Sequence, residues 1–284
     1  MCVRHGSELS VAVPASLVSD VPHLREKSLK IGLIGRAAAM FGVDEIVVFP
    51  DSPKADQSRD ARLISAVLAY METPQYLRKR LFGIRPELRY VGVLPPLRTP
   101  HHPLEDRIVD LGVGEFREGA VVSSTKAGAL VDVGVERPVL VADVQLQVNT
   151  RVTVKITGLE GRPRAEVVGR GEVGEYWGYQ VRVSNVPFGG VVKAGGFDLV
   201  IATSRLGVPF SSVKEELAGR WRKAGKILVG FGAPSEGLQA IVARERLRLD
   251  EVADFVVNMI PEQGVKTVRT EEAVLVCLGL LNCL

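Results

Sequence analysis

The sequence predicts an α/β protein that carries a small all-β domain in its middle. Helix and strand patterns alternate near the front of the chain, and they alternate again in the last third. Between these two parts, short strands follow one another without a helical period. With 284 residues, 46% of them hydrophobic and 24% charged, the chain can bury a sizeable core. At about 100 to 200 residues per domain, that length predicts two domains.

The first segment, residues 1–88, predicts two strands and two helices in alternation. Apolar runs predict the strands, and Gly42 and Pro74 mark the helix ends. In chain order the elements are a strand at 9–13, a helix at about 22–41, a strand at 45–49 and a helix at 60–71. This segment is the N-terminal part of the α/β domain.

The second segment, residues 89–173, predicts a small inserted β-barrel. Five short strands are expected at 119–123, 129–133, 138–141, 151–157 and 164–168. The OB-fold is the leading candidate for five strands in such a span, and OB barrels commonly bind oligonucleotides. Only Tyr90, Phe116 and the neighbouring Tyr176 and Trp177 offer rings for base stacking. Two interpretations of the barrel therefore remain open: it binds RNA, or it is a structural spacer.

The third segment, residues 174–284, returns to the α/β pattern. Strands are expected at 197–203, 226–231 and 255–259, with a helix ending at Trp221 and capped by Ser211 or Ser212. A last helix, 270–281, is expected to be capped by Thr270, with two glutamates in its first turn that favour the helix dipole. We expect the first and third segments to pack as one sheet.

The charge distribution is balanced in every segment. The three segments carry 12, 11 and 13 basic residues against 10, 11 and 12 acidic ones, so an RNA-binding surface must come from local clusters. No apolar stretch is long enough to cross a membrane, and the N-terminus lacks a signal-peptide pattern. Cys2, Cys277 and Cys283 lack metal-ligand spacing, and adjacent His101 and His102 have no further ligands placed beside them. These observations predict a cytoplasmic protein without a metal site.

A glycine-rich turn follows the strand at 226–231. Its sequence, FGAPSEGLQ, fails two phosphate-binding motifs. A P-loop needs Lys and then Ser or Thr where Leu238 and Gln239 stand, and a dinucleotide fingerprint needs glycine where Ser235 stands. An ordinary turn between a strand and a helix stays open as an alternative.

Three strand ends are expected to meet at one edge of the sheet. They are 202–204, 230–234 and 258–265, and none of these stretches contains a positive charge. Ligands of open α/β sheets bind where parallel strands end. A wall of backbone groups and small side chains suits a bent ligand with a neutral heteroaromatic ring better than a triphosphate.

The motifs FGAPSEGL, NMIPEQGVKTVRTEEAVLVCLGLLN and LIGRAAAMFGVDEIVVF resemble the SPOUT, or α/β-knot, family of S-adenosylmethionine-dependent RNA methyltransferases. The inserted barrel is most similar to the archaeal and eukaryotic branch with an OB-like domain. The resemblance covers nearly the whole chain. It implies a trefoil-knotted open sheet, whereas general topology rules alone predict an unknotted one. It also implies a homodimer whose partners complete each other's clefts.

The resemblance implies that S-adenosylmethionine lies bent among three knot loops. The corresponding cofactor-binding residues in this sequence are Thr203, Phe231, Gly232, Pro234, Gly237, Asn258, Ile260, Gln263, Gly264, Thr267 and Val268. The implied activity is methyl transfer to RNA, ribosomal RNA being the leading substrate. The alternatives are an RNA-binding dimer that keeps the pocket but has no transfer activity, and a nucleotide-binding enzyme of another kind.

Two arginines are the predicted catalytic residues. Arg36 matches the front-motif arginine of the ribose-methylating relatives, but Gly32–Gly35 replace the asparagine-glycine-asparagine run that precedes it there. A base nitrogen of a uridine-type nucleotide is therefore the expected target. A cation near the ring oxygens would stabilise the anion that forms when the ring proton leaves, and Arg36 and Arg269 are the candidates. Alternatively, Arg36 pairs with Asp44 or Glu45, and Arg269 with Glu271 or Glu272.

Overall fold

The computed structural model describes residues 6–284, so Cys2 lies outside the described residues. Their contacts form two compact units, and each is described here by itself. The barrel unit consists of Glu72–Pro86 and Arg98–Gly178. The sheet unit consists of residues 6–71, Glu87–Leu97 and Tyr179–Leu284.

Eleven strands and eight α-helices follow one another along the described residues. The strands are β1 (Glu8–Pro14), β2 (Glu45–Phe49), β3 (Phe116–Thr125), β4 (Gly128–Asp132), β5 (Val139–Ala142), β6 (Arg151–Gly158), β7 (Arg164–Val168), β8 (Gln180–Val183), β9 (Leu199–Pro209), β10 (Lys226–Gly230) and β11 (Phe255–Asn258). The helices are α1 (Leu24–Met40), α2 (Ser58–Glu72), α3 (Gln75–Leu81), α4 (Phe188–Gly195), α5 (Phe210–Trp221), α6 (Leu238–Ala243), α7 (Leu249–Val252) and α8 (Thr270–Leu281).

Six parallel strands form the sheet of the sheet unit, in the order β11-β9-β10-β1-β2-β8. The central strands β1, β2 and β10 are almost wholly apolar and buried, as expected for parallel strands that are covered on both faces. Ala12 of β1 lies in register with Gly230 of β10 and Val47 of β2. The first and last segments of the chain therefore share one sheet, as the sequence predicts. The edge strand β8, which is mostly exposed, is not among the predicted elements.

A hydrophobic cluster packs four strands of the sheet against helices α4, α6 and α7. Phe188 of α4 and Ile241 of α6 are buried in it with Phe49 of β2 and Leu228 of β10. Burying a large apolar side chain stabilises a fold by about 1.5–3 kcal/mol, so this cluster holds the carboxyl half of the sheet in place. Helix α4 is not among the predicted elements.

Helices α1 and α8 pack against each other. The buried Lys30 of α1 forms ion pairs with Asp20 at 2.6 Å and with Glu271 of α8 at 3.4 Å. Chain reversal after α1 uses Gly42, which has the positive φ of 68° that glycine adopts without strain.

Two predicted helix caps are wrong. Helix α5 begins at Phe210, directly after Pro209, and neither Ser211 nor Ser212 caps it. Pro209 holds the cap position and offers no side-chain acceptor, and both serines lie inside the helix rather than before it. In α8, Arg269 occupies the cap position and its backbone N–H donates to the Glu272 carboxylate at 2.9 Å. No helix within residues 6–284 is both long and apolar enough to span a membrane.

The barrel unit contains a closed five-stranded barrel in the order β3-β4-β5-β7-β6. Strand β3 pairs antiparallel with both β4 and β6, and the parallel pair β5 and β7 closes the ring. Valines dominate its core, including Val121, Val131 and Val154, all without exposed surface. These strands start and end within a few residues of the predicted ones.

A buried ionic network lies in the same unit. The Arg151 guanidinium donates to Glu72 at 2.5 and 3.0 Å and forms an ion pair with Glu118. Glu118 also accepts from the Thr153 hydroxyl at 2.7 Å and from the Trp177 indole at 2.5 Å. Burial raises the pKa of Glu72, but the hydrogen bond from His101 and the charge of Arg151 outweigh it and lower that pKa to about 2. Both buried carboxylates therefore have hydrogen-bond and ion-pair partners, and Glu72 is ionised.

Candidate functional site

A cavity of about 630 Å³ opens at the carboxyl ends of β9, β10 and β11, within the sheet unit. Three segments line it, and α8 closes one side. We name them the first loop (residues 203–207), the second loop (231–237) and the third loop (258–268). A volume of this size is typical of small-molecule and cofactor sites.

The first loop interrupts the pairing of β9 with β11. The register moves from Ala202–Val256 to Val208–Val257, so five residues of β9 bulge out between the paired positions. The Thr203 hydroxyl donates to the carbonyl of Gly230 at 2.9 Å and ties this loop to the end of β10. A Cβ at Gly207 would lie 2.6 Å from the Val256 carbonyl oxygen, so only glycine permits the close backbone approach there.

The second loop is a tight turn held by its own backbone. Ala233 donates to the carbonyl of Glu236 at 2.8 Å, and Glu236 donates back at 3.3 Å. The Thr270 hydroxyl, at the start of α8, donates to the Gly232 carbonyl at 3.0 Å. Thr270 therefore fixes the loop rather than capping its own helix as predicted.

The third loop is organised by two side-chain amides. Asn258 accepts from the Ile260 backbone at 3.0 Å and donates to the Arg205 carbonyl at 2.9 Å, which joins the third loop to the first. Gln263 donates to the carbonyls of Val265 at 2.8 Å and Lys266 at 3.2 Å. Both amides are thus used to shape the wall.

Ten of the eleven predicted cofactor-binding residues line this one cavity. Gly264 is exposed and is not among the lining residues. The residues brought together are Thr203, Phe231, Gly232, Pro234, Gly237, Asn258, Ile260, Gln263, Thr267 and Val268. Strand ends that are far apart in the sequence therefore meet as the parallel topology predicts.

The two predicted catalytic arginines lie outside the described lining of this cavity. Arg36 is half-buried on α1 and donates to the carbonyls of Leu97 at 2.5 Å and Pro96 at 3.3 Å. The expected partner Glu45 binds Arg182 instead. Arg269 is exposed. Neither arginine has an ion pair among the described residues, so the alternative pairings are wrong.

The complete cavity contains two cations that lie just outside the three cation-free stretches of the sequence. Arg205 and Lys266 both line it, and each stands one residue beyond a stretch that contains no cation. The cavity also contains Glu236, which is paired with Arg244. The buried Cys277 of α8 lines the wall as well, and burial raises the pKa of its thiol to about 12, so it stays protonated. Sequence reasoning missed Arg205, Lys266 and Cys277 because their place in the wall depends on the path of the loops and on the docking of α8.

No group of three or more potential metal ligands occurs within residues 6–284. His101 and His102 instead direct their Nε2 atoms at the Glu72 carbonyl, at 2.8 and 2.7 Å. They belong to the buried network of the barrel unit. The described cavity therefore offers backbone amides, carbonyls, hydroxyls and two cations to a ligand.

Comparison with known proteins identifies one family model and several relatives that match most of this chain. A family model described as "Putative RNA methyltransferase" matches residues 8–281. A 28S rRNA (uridine-N(3))-methyltransferase of Mus musculus is 35% identical over 96% of this chain and 76% of its own length. A human protein of the same description is 32% identical over 96% of this chain and 77% of its own length.

An archaeal relative has nearly the same extent as this chain. It is an uncharacterized protein of Haloarcula marismortui, 35% identical over 96% of this chain and 98% of its own length. The family match covers both the barrel strands and all three loops of the cavity. The chain therefore belongs to this family and is an RNA methyltransferase.

Proposed function

We propose that this chain transfers the methyl group of S-adenosylmethionine to the ring nitrogen N3 of a uridine in ribosomal RNA. The observation that carries the proposal is the cavity at the ends of β9, β10 and β11, which collects ten of the eleven residues assigned to the donor. The names of the mouse and human relatives support the target atom. A ribosomal substrate is consistent with the cytoplasmic location expected from the sequence.

The residues of the cavity fit an adenosine-containing donor. Gly232, Pro234 and Gly237 keep the second loop small, and the backbone amides and carbonyls of the three loops are the groups that hold an adenine ring. Phe231 and Ile260 add apolar contact. When bound, the donor supplies an electrophilic methyl group, and the chain contributes orientation of the nucleophile toward it.

Arg36 is proposed to act from the partner subunit of a homodimer. Uridine N3 must lose its proton before it can be methylated, and a guanidinium near the ring oxygens stabilises the resulting anion. Arg36 lies outside the described lining of its own cavity, which agrees with action across an interface. Arg269 keeps the same proposed role at the edge of the third loop. Stabilisation of the uridine anion is the role that we propose for both arginines.

Exposed apolar side chains support a homodimer. Leu29, Leu33 and Met40 of α1 are 40%, 55% and 53% exposed, and Leu275 and Val276 of the adjacent α8 are 43% and 39% exposed. A contiguous apolar patch on a soluble protein marks an interaction surface. We propose that this α1–α8 face pairs with its copy in a second chain.

The proposed trefoil knot and OB-like barrel have separate support. The knot is proposed from the resemblance of the three motifs to the α/β-knot family. In the barrel, the order β3-β4-β5-β7-β6 with a parallel closing pair agrees with a five-stranded OB-like arrangement. The proposed domains are 1–88, 89–173 and 174–284, although the barrel unit also takes up Glu72–Pro86.

Calorimetric titration tests the cofactor part of the proposal. We expect saturable binding of S-adenosylmethionine and S-adenosylhomocysteine and none of ATP, since the loops lack a phosphate-binding motif. Binding of ATP without a response to the other two compounds would overturn the assignment. Mass spectrometry of nucleosides from ribosomal RNA, with and without the protein, then identifies the product.

Substitution of Arg36 by Ala tests the catalytic part. We expect methyl transfer to fall to background while S-adenosylhomocysteine affinity and dimer mass stay nearly unchanged, because among the described residues of its own chain the Arg36 guanidinium donates to the Pro96 and Leu97 carbonyls and does not line the cavity. Turnover that survives the substitution would remove Arg36 from the mechanism. A wild-type protein that binds donor and RNA without any product would favour an RNA-binding dimer.

A further inference from the structure

Two cations line the donor cavity without a carboxylate to neutralise them. Arg205 and Lys266 are both exposed, and neither has an acidic partner within ion-pair distance in the part of the chain that the structure describes. Glu236, the acidic residue among the lining residues, is engaged by Arg244. The cavity therefore presents unneutralised positive charge to whatever enters it.

The Arg205 side chain is anchored. Its Nη1 donates to the Lys266 carbonyl at 3.1 Å, and the Asn258 amide holds the Arg205 carbonyl at 2.9 Å. Gln263 donates to the same Lys266 carbonyl. An arginine has five N–H donors, and the other donors of Arg205 find no acceptor among the described residues. The guanidinium is thus oriented by one hydrogen bond with most of its donors unused.

An oriented guanidinium with unused donors binds an oxyanion, in fork geometry where two oxygens are available. We propose that Arg205, assisted by Lys266, binds a backbone phosphate of the RNA beside the nucleotide to be methylated. This inference rests on the proposed function. Its role is to position the target nucleotide at the cavity.

The donor's own carboxylate is the other possible oxyanion. S-adenosylmethionine carries a sulfonium, an ammonium and one carboxylate, so two unneutralised cations give it little net attraction. RNA carries a negative charge at every nucleotide, and such phosphates are the usual partners of exposed arginine and lysine in RNA-binding proteins. The exposure of both side chains also favours the larger ligand.

The test compares Arg205→Gln with wild-type protein and with Arg248→Gln. Arg248 is an exposed arginine of the same unit, paired with Asp250 at the start of α7, so the control removes the same charge away from the cavity. The measurements are KM and salt dependence with an unmodified large-subunit ribosomal RNA transcript, and affinity for S-adenosylhomocysteine and for 5′-methylthioadenosine, which lacks the carboxylate. Arg205→Lys keeps the positive charge but lacks the two parallel N–H donors of the guanidinium.

We expect Arg205→Gln to raise KM for the transcript by about tenfold and to flatten the slope of log affinity against log salt by about 0.7. We expect both nucleosides to bind within about twofold of wild type, and Arg248→Gln to match wild type throughout. The Arg205→Lys variant is expected to have the salt slope of wild type and a KM between those of wild type and Arg205→Gln.

Three results would overturn the inference. Weaker binding of S-adenosylhomocysteine with unchanged methylthioadenosine would assign Arg205 to the donor carboxylate. Equal weakening of both would make Arg205 a structural tie between the first and third loops, and unchanged KM would give it no role. A wild-type protein that binds neither nucleoside would instead refute the proposed function itself.

Discussion

The barrel unit and the sheet unit use their charged side chains in opposite ways. In the barrel unit, Arg151 pairs with the buried carboxylates of Glu72 and Glu118, so the three side chains satisfy one another. In the sheet unit, Arg205 and Lys266 face a cavity with donors unused. Charged side chains whose hydrogen bonds and ion pairs are all made within the protein stabilise the fold. Charged side chains with unused hydrogen-bond donors at a cavity can bind a ligand.

The largest expected effect on stability comes from disrupting the network of Glu72, Glu118 and Arg151. Arg151→Met leaves Glu72 and Glu118 buried together with less neutralising charge. Removing one partner of a buried ion pair costs about 3–5 kcal/mol, so we expect a loss of that size in the free energy of unfolding of the barrel unit. Urea denaturation followed by tryptophan fluorescence in a Trp221→Phe background measures it, since Trp177 is then the one tryptophan left and its indole contacts Glu118.

Arg162→Met is the matched control for that substitution. Arg162 is exposed, in the turn before β7, so its loss should change stability by less than about 0.5 kcal/mol. If the Arg151 variant were as stable as this control, the network would contribute nothing to the fold, and the contrast between the units would fail.

The second expected effect is a loss of stability in acid. The pKa of Glu72 is about 2 in the folded chain, so its stabilisation is complete above about pH 4.5 and is lost as the pH falls toward 2. Burial and the neighbouring His101 lower the pKa of His102 to about 4, so the folded state resists its protonation and loses stability from about pH 6.5 down to 4. We expect each titration to cost about 3 kcal/mol of the free energy of unfolding, measured by denaturation at a series of pH values.

His102→Gln separates the two titrations. The glutamine amide nitrogen reaches about as far as the Nε2 atom of His102 and can donate to the Glu72 carbonyl, but it does not titrate. The decline between about pH 6.5 and 4 should disappear while the decline below 4.5 stays. A variant with an unaltered pH profile would exclude His102 as its source.

The smallest expected effect concerns the tie between α8 and the second loop. Thr270→Val removes the hydroxyl that donates to the Gly232 carbonyl, at a cost of about 1 kcal/mol. S-adenosylhomocysteine should bind about fivefold more weakly, by calorimetry, because the loop is less well fixed. Thr157→Val, at an exposed position of β6, should leave its affinity unchanged. Equal affinity in the two variants would show that the loop holds its shape without Thr270.

Most strands and long helices could be predicted because their signals are local. Strand β2 and helix α8 begin and end at the predicted residues, since apolar runs and helical spacing fix them. Strand β8 and helix α4 are absent from the prediction. Strand β8 is short and mostly exposed, so its sequence contains no apolar run. Helix α4 contains several glycines, which lower its helix propensity.

The cavity could be predicted where strand ends determine it. The second loop follows directly from the apolar run of β10 and its glycines, and the other loops follow from the resemblance. Arg205, Lys266 and Cys277 were missed because their inward position depends on loop curvature and on the docking of α8, which no local pattern encodes. Asp51 is a similar case: it lies in a polar stretch typical of an exposed turn, yet it is buried and accepts hydrogen bonds from Ser16 and Gln57.

The strand order has a consequence for synthesis on the ribosome. Strand β1 occupies the middle of the sheet beside β10, which is made more than two hundred residues later. All residues of the barrel unit after position 71 leave the ribosome before β9, β10 or β11 exists, so that unit can mature while β1 has β2 on one side but still lacks β10 on the other. The unpaired edge of β1 must therefore be kept from pairing with other strands until translation is almost finished.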